Sequence, residues 1–154
     1  MIGGAGSGLT GVSSLDGDVS VFPRPGGVGA ALSVEWILPD GSWWRVRLVA
    51  FELVTTATVE FSQAIIDFTY GASPLYRMSL ANLIEPGWPT SFSTFGVGLP
   101  FRAETSPQLQ VAPLPEVLLP PGSIVTLSFA VPGGTVELVK PVMVAVSSKT
   151  TKRV

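Results

Sequence analysis

Residues 117–148, VLLPPGSIVTLSFAVPGGTVELVKPVMVAVSS, decide the fold class of this chain. Two apolar runs, residues 124–131 and 135–146, are separated by a Pro-Gly-Gly turn, and a Pro-Pro-Gly turn precedes the first run. Because proline and glycine interrupt helices, the stretch is predicted to form two β-strands and not a helix that crosses a membrane. With so little charge, these strands need cover from the rest of the domain or from other molecules.

The composition of the whole chain also indicates more apolar surface than its few charged residues can shield from water. Of the 154 residues, 46% are hydrophobic and 13% are charged, whereas an average soluble domain has about 25% charged residues. The 17 glycines and 14 prolines leave little room for long helices. This thin polar coat predicts a subunit whose apolar strands are covered by neighbouring chains.

The rest of the sequence shows short apolar or alternating segments bounded by turn residues. We predict strands at residues 19–22, 31–38, 43–54, 58–61, 64–70, 75–80, 92–97, 109–111, 124–131 and 136–146. This pattern is typical of an antiparallel β-sandwich or barrel. Uneven strand lengths and a mixture of tight turns and long connections favour a jelly-roll-like sandwich of about eight to ten strands.

Residues 31–38 and 43–54 are predicted to form a hairpin, because residues 39–42, Pro-Asp-Gly-Ser, supply a tight turn between them. In the returning strand, strict alternation places Arg45 and Arg47 on the same face as the apolar side chains at positions 49, 51 and 53. The adjacent residues Trp43 and Trp44 must then lie on opposite faces. Pro141 lies inside the last predicted strand and indicates a bulge or an edge position, because it has no N–H to donate.

The domain organisation is predicted from composition. Residues 1–14 are rich in glycine and serine and form an extended N-terminal arm, residues 15–148 form the single sandwich domain, and residues 149–154 form a basic tail. The first residues lack the basic and apolar regions of a secretory signal. Since ordering a glycine-rich arm is costly in entropy, we expect the arm to be held by a neighbouring chain, with packing on its own domain as the alternative.

The charge balance and the missing residue types exclude several classes of function. A net charge of −2 gives no general attraction to nucleic acid or to an anionic membrane. The sequence contains no cysteine and no histidine, which excludes Ser-His-Asp and Cys-His nucleophiles and cysteine-based zinc sites. Asp16 and Asp18 resemble the start of a calcium loop but lack its later ligands. We therefore expect no enzyme, no catalytic residue, no cofactor and no metal.

The candidate site is instead an interface with other protein chains. Its predicted residues are apolar positions of the arm, aromatic residues, two strand arginines and the strand proline: Ile2, Leu9, Val12, Trp43, Arg45, Arg47, Trp88, Phe92, Phe95 and Pro141. The arginines either lie at an exposed strand end or pair with a neighbouring subunit's carboxylates. The aromatic residues pack in the core or at an interface, or alternatively provide stacking surfaces for sugars, as in a carbohydrate-binding module.

Five segments, in this order, carry a resemblance: WWRVRLVAFELVTTATV at residues 43–59, AIIDFTYG at 64–71, LYRMSL at 75–80, LPEVLLPPGSIVTLSF at 114–129 and GGTVELVKPVMVAV at 133–146. Together they resemble small virion proteins of tailed bacteriophages, in which a Leu-Pro-Pro-Gly turn precedes a closing hairpin.

This resemblance implies a single β-sandwich domain on the virion, assembled in the host cytoplasm. The expected function is a capsid decoration, or cement, protein that forms a homotrimer or another homo-oligomer and bridges major capsid subunits. The alternative is a neck, tail or head-fibre accessory protein that binds a host glycan or receptor through Trp88 and the aromatic residues between positions 92 and 101.

Overall fold

The computed structural model describes residues 12–14, 17–29, 32–55, 63–79, 91–105, 108–130 and 136–148. Within these residues the protein is all-β: there are twelve strands in two sheets and no helix. The strands are β1 (Val12–Ser14), β2 (Gly17–Pro23), β3 (Gly27–Gly29), β4 (Ser33–Ile37), β5 (Trp43–Thr55), β6 (Gln63–Tyr70), β7 (Ser73–Ser79), β8 (Ser91–Val97), β9 (Arg102–Thr105), β10 (Gln108–Leu114), β11 (Ile124–Ala130) and β12 (Val136–Ser148).

The predicted β-sandwich class is confirmed, and nine of the ten predicted strands correspond to observed ones. The tenth, at residues 58–61, lies outside the described residues. Sequence reasoning missed β1, β3 and β9, which have only three or four residues each and therefore carry no readable alternation.

The larger sheet has eight strands in the order β1-β2-β12-β5-β8-β10-β9, with β3 also paired to β12. All of its pairings are antiparallel except that of β8 with β10, which is parallel. β2 and β3 lie one after the other along the same side of β12, and β5 lies along the other side. The jelly-roll arrangement is not confirmed, since that fold has two four-stranded sheets.

The smaller sheet has four antiparallel strands in the order β4-β11-β6-β7. Its strands alternate with period two. In β6, for example, Ala64, Ile66 and Phe68 are buried while the residues between them are half-buried. β4 alternates as well, with Trp36 buried and its neighbours on either side exposed.

One hydrophobic core lies between the two sheets. The rings of Phe51 in β5 and Phe129 in β11 meet edge to face with 5.2 Å between their centroids, which joins the larger sheet to the smaller one. Fully buried side chains come from both sheets and include Phe68, Phe95, Leu53, Ile66, Leu127, Leu138 and Met143. Burying a side chain of this size contributes roughly 1.5–3 kcal/mol, so this layer is what holds the two sheets together.

The prediction that residues 31–38 and 43–54 form a hairpin is wrong. β4 pairs with β11 in the smaller sheet, whereas β5 pairs with β12 and β8 in the larger sheet. The turn at residues 39–42 therefore carries the chain from one sheet to the other. The segment before β11 supports this corner: Leu38 N–H donates to Ser123 O at 2.9 Å, and Trp44 N–H donates to Leu119 O at 2.9 Å.

The closing hairpin implied by the resemblance is wrong for the same reason. β11 lies between β4 and β6 in the smaller sheet, and β12 lies between β2 and β5 in the larger one. The two apolar runs of residues 117–148 thus become an inner strand of each sheet. About half of the apolar side chains in the described part of this stretch lie in or against the chain's own core, so part of the cover that their low charge requires comes from the domain itself.

A β-bulge in β5 overturns the predicted faces of this strand. Val144 and Ala145 are adjacent in β12, but their partners in β5 are Leu48 and Val46, so Arg47 is an extra residue. A bulge shifts the alternation by one position. The buried residues of β5 are accordingly Trp44 and Val46 before the bulge, and Val49, Phe51 and Leu53 after it. Arg45 and Arg47 do not share a face with Val49.

A second bulge lies in β12 and confirms one of the two readings of Pro141. Val139 pairs with Glu52 and Val142 with Ala50, so β12 has one residue more than β5 in this interval. Lys140 adopts a left-handed conformation, with φ of 47°, just before the proline. Pro141 is buried, and its carbonyl accepts a hydrogen bond from Arg24 N–H at 3.0 Å.

A candidate assembly surface on the larger sheet

The outer face of the larger sheet is apolar across five neighbouring strands. The pairing registers place Val21, Val144 and Leu48 in one row, and Pro23, Val142, Ala50, Thr94 and Val111 in the next. A third row contains Val139, Glu52, Phe92 and Leu109. We define the apolar face by the eight residues Val21, Leu48, Ala50, Phe92, Leu109, Val111, Val142 and Val144.

Solvent reaches this face in the structure. Phe92 is 49% exposed, Val21 and Leu109 are each 36% exposed, and the other members are half-buried by their neighbours in the sheet. Phe92, Ala50 and Val142 line one shallow depression of about 220 Å³. The charged residues Glu52 and Lys140 line the same depression. The eight residues of the apolar face are therefore continuous across the strands, and charged residues lie beside them: Glu52, Lys140, and Arg102 and Glu104 of β9.

Gly96 allows one further apolar side chain to join this face. A Cβ atom at Gly96 would lie 2.7 Å from Cδ1 of Leu99, which is too close for any real contact. Leu99 N–H donates to Gly96 O at 3.3 Å and so fixes the turn that brings the leucine back over the strand. Leu99 thus covers the backbone of β8 next to the row of Leu48 and Val144.

The outer face of the smaller sheet has a different character. One row across its four strands reads Glu35, Thr126, Asp67 and Arg77. Arg77 forms a two-point ion pair with Asp67, with Nε to Oδ1 at 2.7 Å and Nη2 to Oδ2 at 3.3 Å. This hydrogen bond raises the pKa of Arg77. The apolar residues on this face include Ile37, which is 67% exposed, its cross-strand partner Ile124 and Ile65, and the last two are half-buried. The face is therefore mixed, with charged and polar groups at its centre.

The two strand arginines predicted as interface residues lie away from the centre of the apolar face. Arg47 sits in the β5 bulge and is paired within the chain, with Nη1 at 3.1 Å from Oε1 of Glu116. Both side chains of this pair are largely exposed, and such pairs add little to stability. Arg45 is half-buried. Arg47 therefore has a carboxylate partner without any neighbouring subunit.

The structure places the remaining predicted interface residues in different environments. Phe92 lies on the apolar face and Trp43 is 40% exposed, opposite the buried Trp44 as predicted. Phe95 is fully buried in the core, and Pro141 is buried in the β12 bulge. The structure describes the backbone of Val12 in β1, whereas Ile2, Leu9 and Trp88 lie outside the described residues.

Seven of the eight members of the apolar face were missed as site residues. The sequence did contain a signal for Ala50, Val142 and Val144, because residues 48–51 of β5 and residues 142–146 of β12 are apolar at consecutive positions. A strand that is apolar on both sides indicates two covered faces. Assigning residues to the outer side, however, required the positions of both bulges.

The described part of the chain shows neither a cluster of metal ligands nor a membrane-spanning helix. It contains no group of three or more acidic, cysteine or histidine side chains that could hold a metal ion. Asp18 is half-buried, and its N–H donates to Ser147 Oγ at 3.2 Å, while Asp16 lies outside the described residues. No helix with the length and apolarity of a membrane span occurs among the same residues.

Comparison with known proteins assigns the chain to no family. A scan against protein-family models and a search of curated proteins both find no match to the chain.

Proposed function

We propose that this protein is a structural subunit that decorates the capsid of a tailed bacteriophage. The observation that carries the proposal is the difference between the two outer faces of the sandwich: the larger sheet has eight apolar residues in adjoining rows, whereas the smaller sheet has the row Glu35, Thr126, Asp67 and Arg77 at its centre. The subunit attaches through the apolar face and presents the row of Glu35, Asp67 and Arg77 to solvent.

The physical basis of attachment is the removal of apolar surface from water. Contiguous exposed apolar surface on a folded domain is typical of an interaction site. Its burial is favourable by roughly 25 cal/mol per Å², before the entropic cost of association is subtracted. Within β2, β12, β5, β8 and β10, Glu52 is the charged residue of the three rows, whereas Arg102 and Glu104 of β9 continue two of these rows at the edge of the sheet. Attachment over the five strands therefore removes water from one charged group of the three rows.

The choice of a phage capsid as the assembly rests on the resemblance of the five segments between residues 43 and 146, whose implied closing hairpin does not form because β11 and β12 lie in different sheets. The partners that it implies are the major capsid protein and further copies of this chain in a homotrimer or other homo-oligomer. A cement protein acts by binding and not by chemistry. That role fits a chain without cysteine or histidine.

Matched substitutions on the two outer faces test the mode of attachment. Val144→Lys puts a charge in the centre of the apolar face, and Thr126→Lys puts the same charge on an inner strand of the smaller sheet. Both parent residues are half-buried, so the two variants are comparable. We expect Val144→Lys to lose binding to capsids that lack the protein, at least tenfold, and Thr126→Lys to bind like the wild type.

Phe92→Lys serves as a second variant, because this side chain is already half exposed and its replacement leaves the core intact. Circular dichroism checks that each variant is folded. Attachment of both Val144→Lys and Phe92→Lys at wild-type level would contradict the proposed face.

Copy number separates capsid decoration from the neck, tail or head-fibre role. Quantitative mass spectrometry of purified virions gives the ratio of this chain to the major capsid protein. Decoration predicts a ratio near that of the capsid subunits and heads that break at lower temperature without the protein. A few copies per particle, together with lost adsorption to host cells, would instead support the accessory role.

A further inference from the structure

β4 is an edge strand of the smaller sheet, because β11 is its one partner within the described part of the chain. Leu38, directly after β4, donates its N–H to Ser123 O at 2.9 Å, next to the first residue of β11. Successive residues of a strand direct their backbone N–H and C=O groups to alternate sides. The backbone groups that point to the open side of β4 are therefore those of Ser33, Glu35 and Ile37, and all three residues are exposed.

The other described edge strands are protected against further pairing. β1, β3 and β9 have three or four residues each. β7 contains Pro74, which has no N–H to donate, and its pairing with β6 is irregular at this point. β4 has five residues, no proline and a regular register with β11. Since proteins blunt open edges with short strands, prolines and bulges, β4 is the described edge best able to accept another strand.

A cleft of about 450 Å³ lies on the open side of β4, between this strand and β2 of the larger sheet. Phe22 and Pro23 of β2 and Trp36 of β4 give it an apolar lining, whereas no described residue of β11 lines it. A hydrogen bond from Trp36 Nε1–H to Phe22 O, 2.9 Å long, joins the two walls. A strand added to β4 would therefore find room for an apolar side chain on its inner side.

The side chains of β4 indicate which residues an added strand should carry, because opposite residues of an antiparallel pair project to the same side. Glu35 is exposed and has no ion-pair partner in the described part of the chain, so a lysine or arginine opposite it would complete a pair. The residue opposite Trp36 would project into the cleft. The residue opposite Ile37 would cover a side chain that is 67% exposed. Apolar side chains suit both of these positions.

We propose that β4 binds an extended segment of another protein as an additional antiparallel strand, with a lysine or arginine opposite Glu35 and an apolar side chain in the cleft. A second copy of this chain fits less well. Two β4 strands paired about their central residue would place one Glu35 directly opposite the other, and like charges in this position destabilise a pair. This contact is separate from the apolar face, so it can be tested on the isolated protein, independently of capsid attachment.

Amide hydrogen exchange of the isolated protein, followed by NMR, tests whether the edge is open. The amides of Ser33, Glu35 and Ile37 should exchange at least tenfold faster than those of Val34 and Trp36, which point to β11. Slow exchange of all five amides would overturn the proposal, because the edge would then be covered by the chain itself. Protection that grows with protein concentration would also overturn it, because a second copy would then occupy the edge.

The probe for binding is the blocked peptide acetyl-Thr-Val-Leu-Lys-Val-Thr-amide. Paired antiparallel to β4, it places its lysine opposite Glu35 and its leucine opposite Trp36. We expect saturable binding in an NMR titration, with exchange at the three open-side amides slowed at least tenfold and exchange at Val34 and Trp36 unaltered. The control peptide has glutamate in place of lysine and should bind about fivefold more weakly. Absence of saturable binding, or binding that leaves the three amides unprotected, would overturn the proposal.

A charge reversal tests the role of Glu35. In Glu35→Lys the preference should reverse, so that the glutamate peptide binds more tightly than the lysine peptide. Glu137→Lys is the matched control, because it makes the same change at an exposed position of β12 in the larger sheet, and it should keep the wild-type preference. Both positions are exposed, so neither variant disturbs the core. An unchanged preference in Glu35→Lys would contradict the proposed register.

Discussion

At the scale of single residues, two buried serines are in opposite situations. The Ser93 hydroxyl in β8 is buried beside the core and finds no hydrogen-bond partner among the described residues. The equally buried Ser123 donates from Oγ to Pro120 O at 2.7 Å. A buried polar group without a partner costs about 1–3 kcal/mol, whereas a satisfied one contributes about 1 kcal/mol. The same substitution should therefore act in opposite directions at the two sites.

We predict that Ser93→Ala raises the free energy of unfolding by about 1 kcal/mol and that Ser123→Ala lowers it by a similar amount. Urea unfolding followed by tryptophan fluorescence measures both changes in the same buffer. Each variant serves as the other's control, because both delete one buried oxygen atom. A loss of stability in Ser93→Ala as large as that in Ser123→Ala would show that the Ser93 hydroxyl is satisfied after all.

At the scale of elements, sequence patterns predicted where strands lie but not which strands pair. Alternation reports the buried side of a strand, and it located β4 and β6 correctly. The partner of a strand depends on the path of the turn between strands, and residues 39–42 look like a hairpin turn although they change sheet. Trp44 Nε1–H donates to Pro39 O across this corner at 3.0 Å, but the backbone hydrogen bonds that hold it come from residues 119–123, more than seventy positions away, and no local pattern could reveal those.

Bulges limited the prediction of the candidate site in the same way. The bulges at Arg47 in β5 and at Lys140-Pro141 in β12 each shift the alternation by one residue. A strict alternation continued through either strand therefore assigns the residues beyond the bulge to the wrong face of the sheet. Pro141 indicated the β12 bulge in the sequence. The residue type of Arg47 gives no indication of the β5 bulge, because any side chain that points to solvent is tolerated at the extra position.

The β12 bulge provides a prediction at this scale. Lys140 holds φ at 47°, a conformation that costs a non-glycine residue roughly 1–2 kcal/mol. Lys140→Gly removes that cost but adds chain entropy to the unfolded state, so we expect a net gain of about 0.5–1 kcal/mol. Lys140→Ala is the control and should stay close to the wild type. Equilibrium unfolding in urea measures all three proteins, and a clear loss in Lys140→Gly would show that the bulge geometry differs from this description.

At the scale of the whole molecule, the low charge of the chain has two separate structural outcomes. Residues 117–148 provide an inner strand for each sheet, so much of their apolar character serves the chain's own core. The remainder, including Val142 and Val144, reaches the outer face of the larger sheet and carries the proposed attachment. Composition alone predicted an uncovered apolar surface, but only the pairing of β12 with β2 and β5 shows that this surface is continuous.

The same distribution of charge predicts how attachment responds to salt. At 1 M ionic strength the Debye length falls to about 3 Å, which weakens exposed ion pairs, whereas apolar burial is not screened. We expect the fraction of protein bound to capsids in 1 M NaCl to stay within about twofold of that in 0.1 M NaCl. Pelleting the particles and quantifying the bound chain gives this ratio. Arg47→Ala tests the alternative of an arginine-based contact and should bind like the wild type, because Arg47 already pairs with Glu116 of its own chain. Release of the wild type by salt, together with weak binding of Arg47→Ala, would indicate that the protein attaches through the β5 bulge and not through the apolar face.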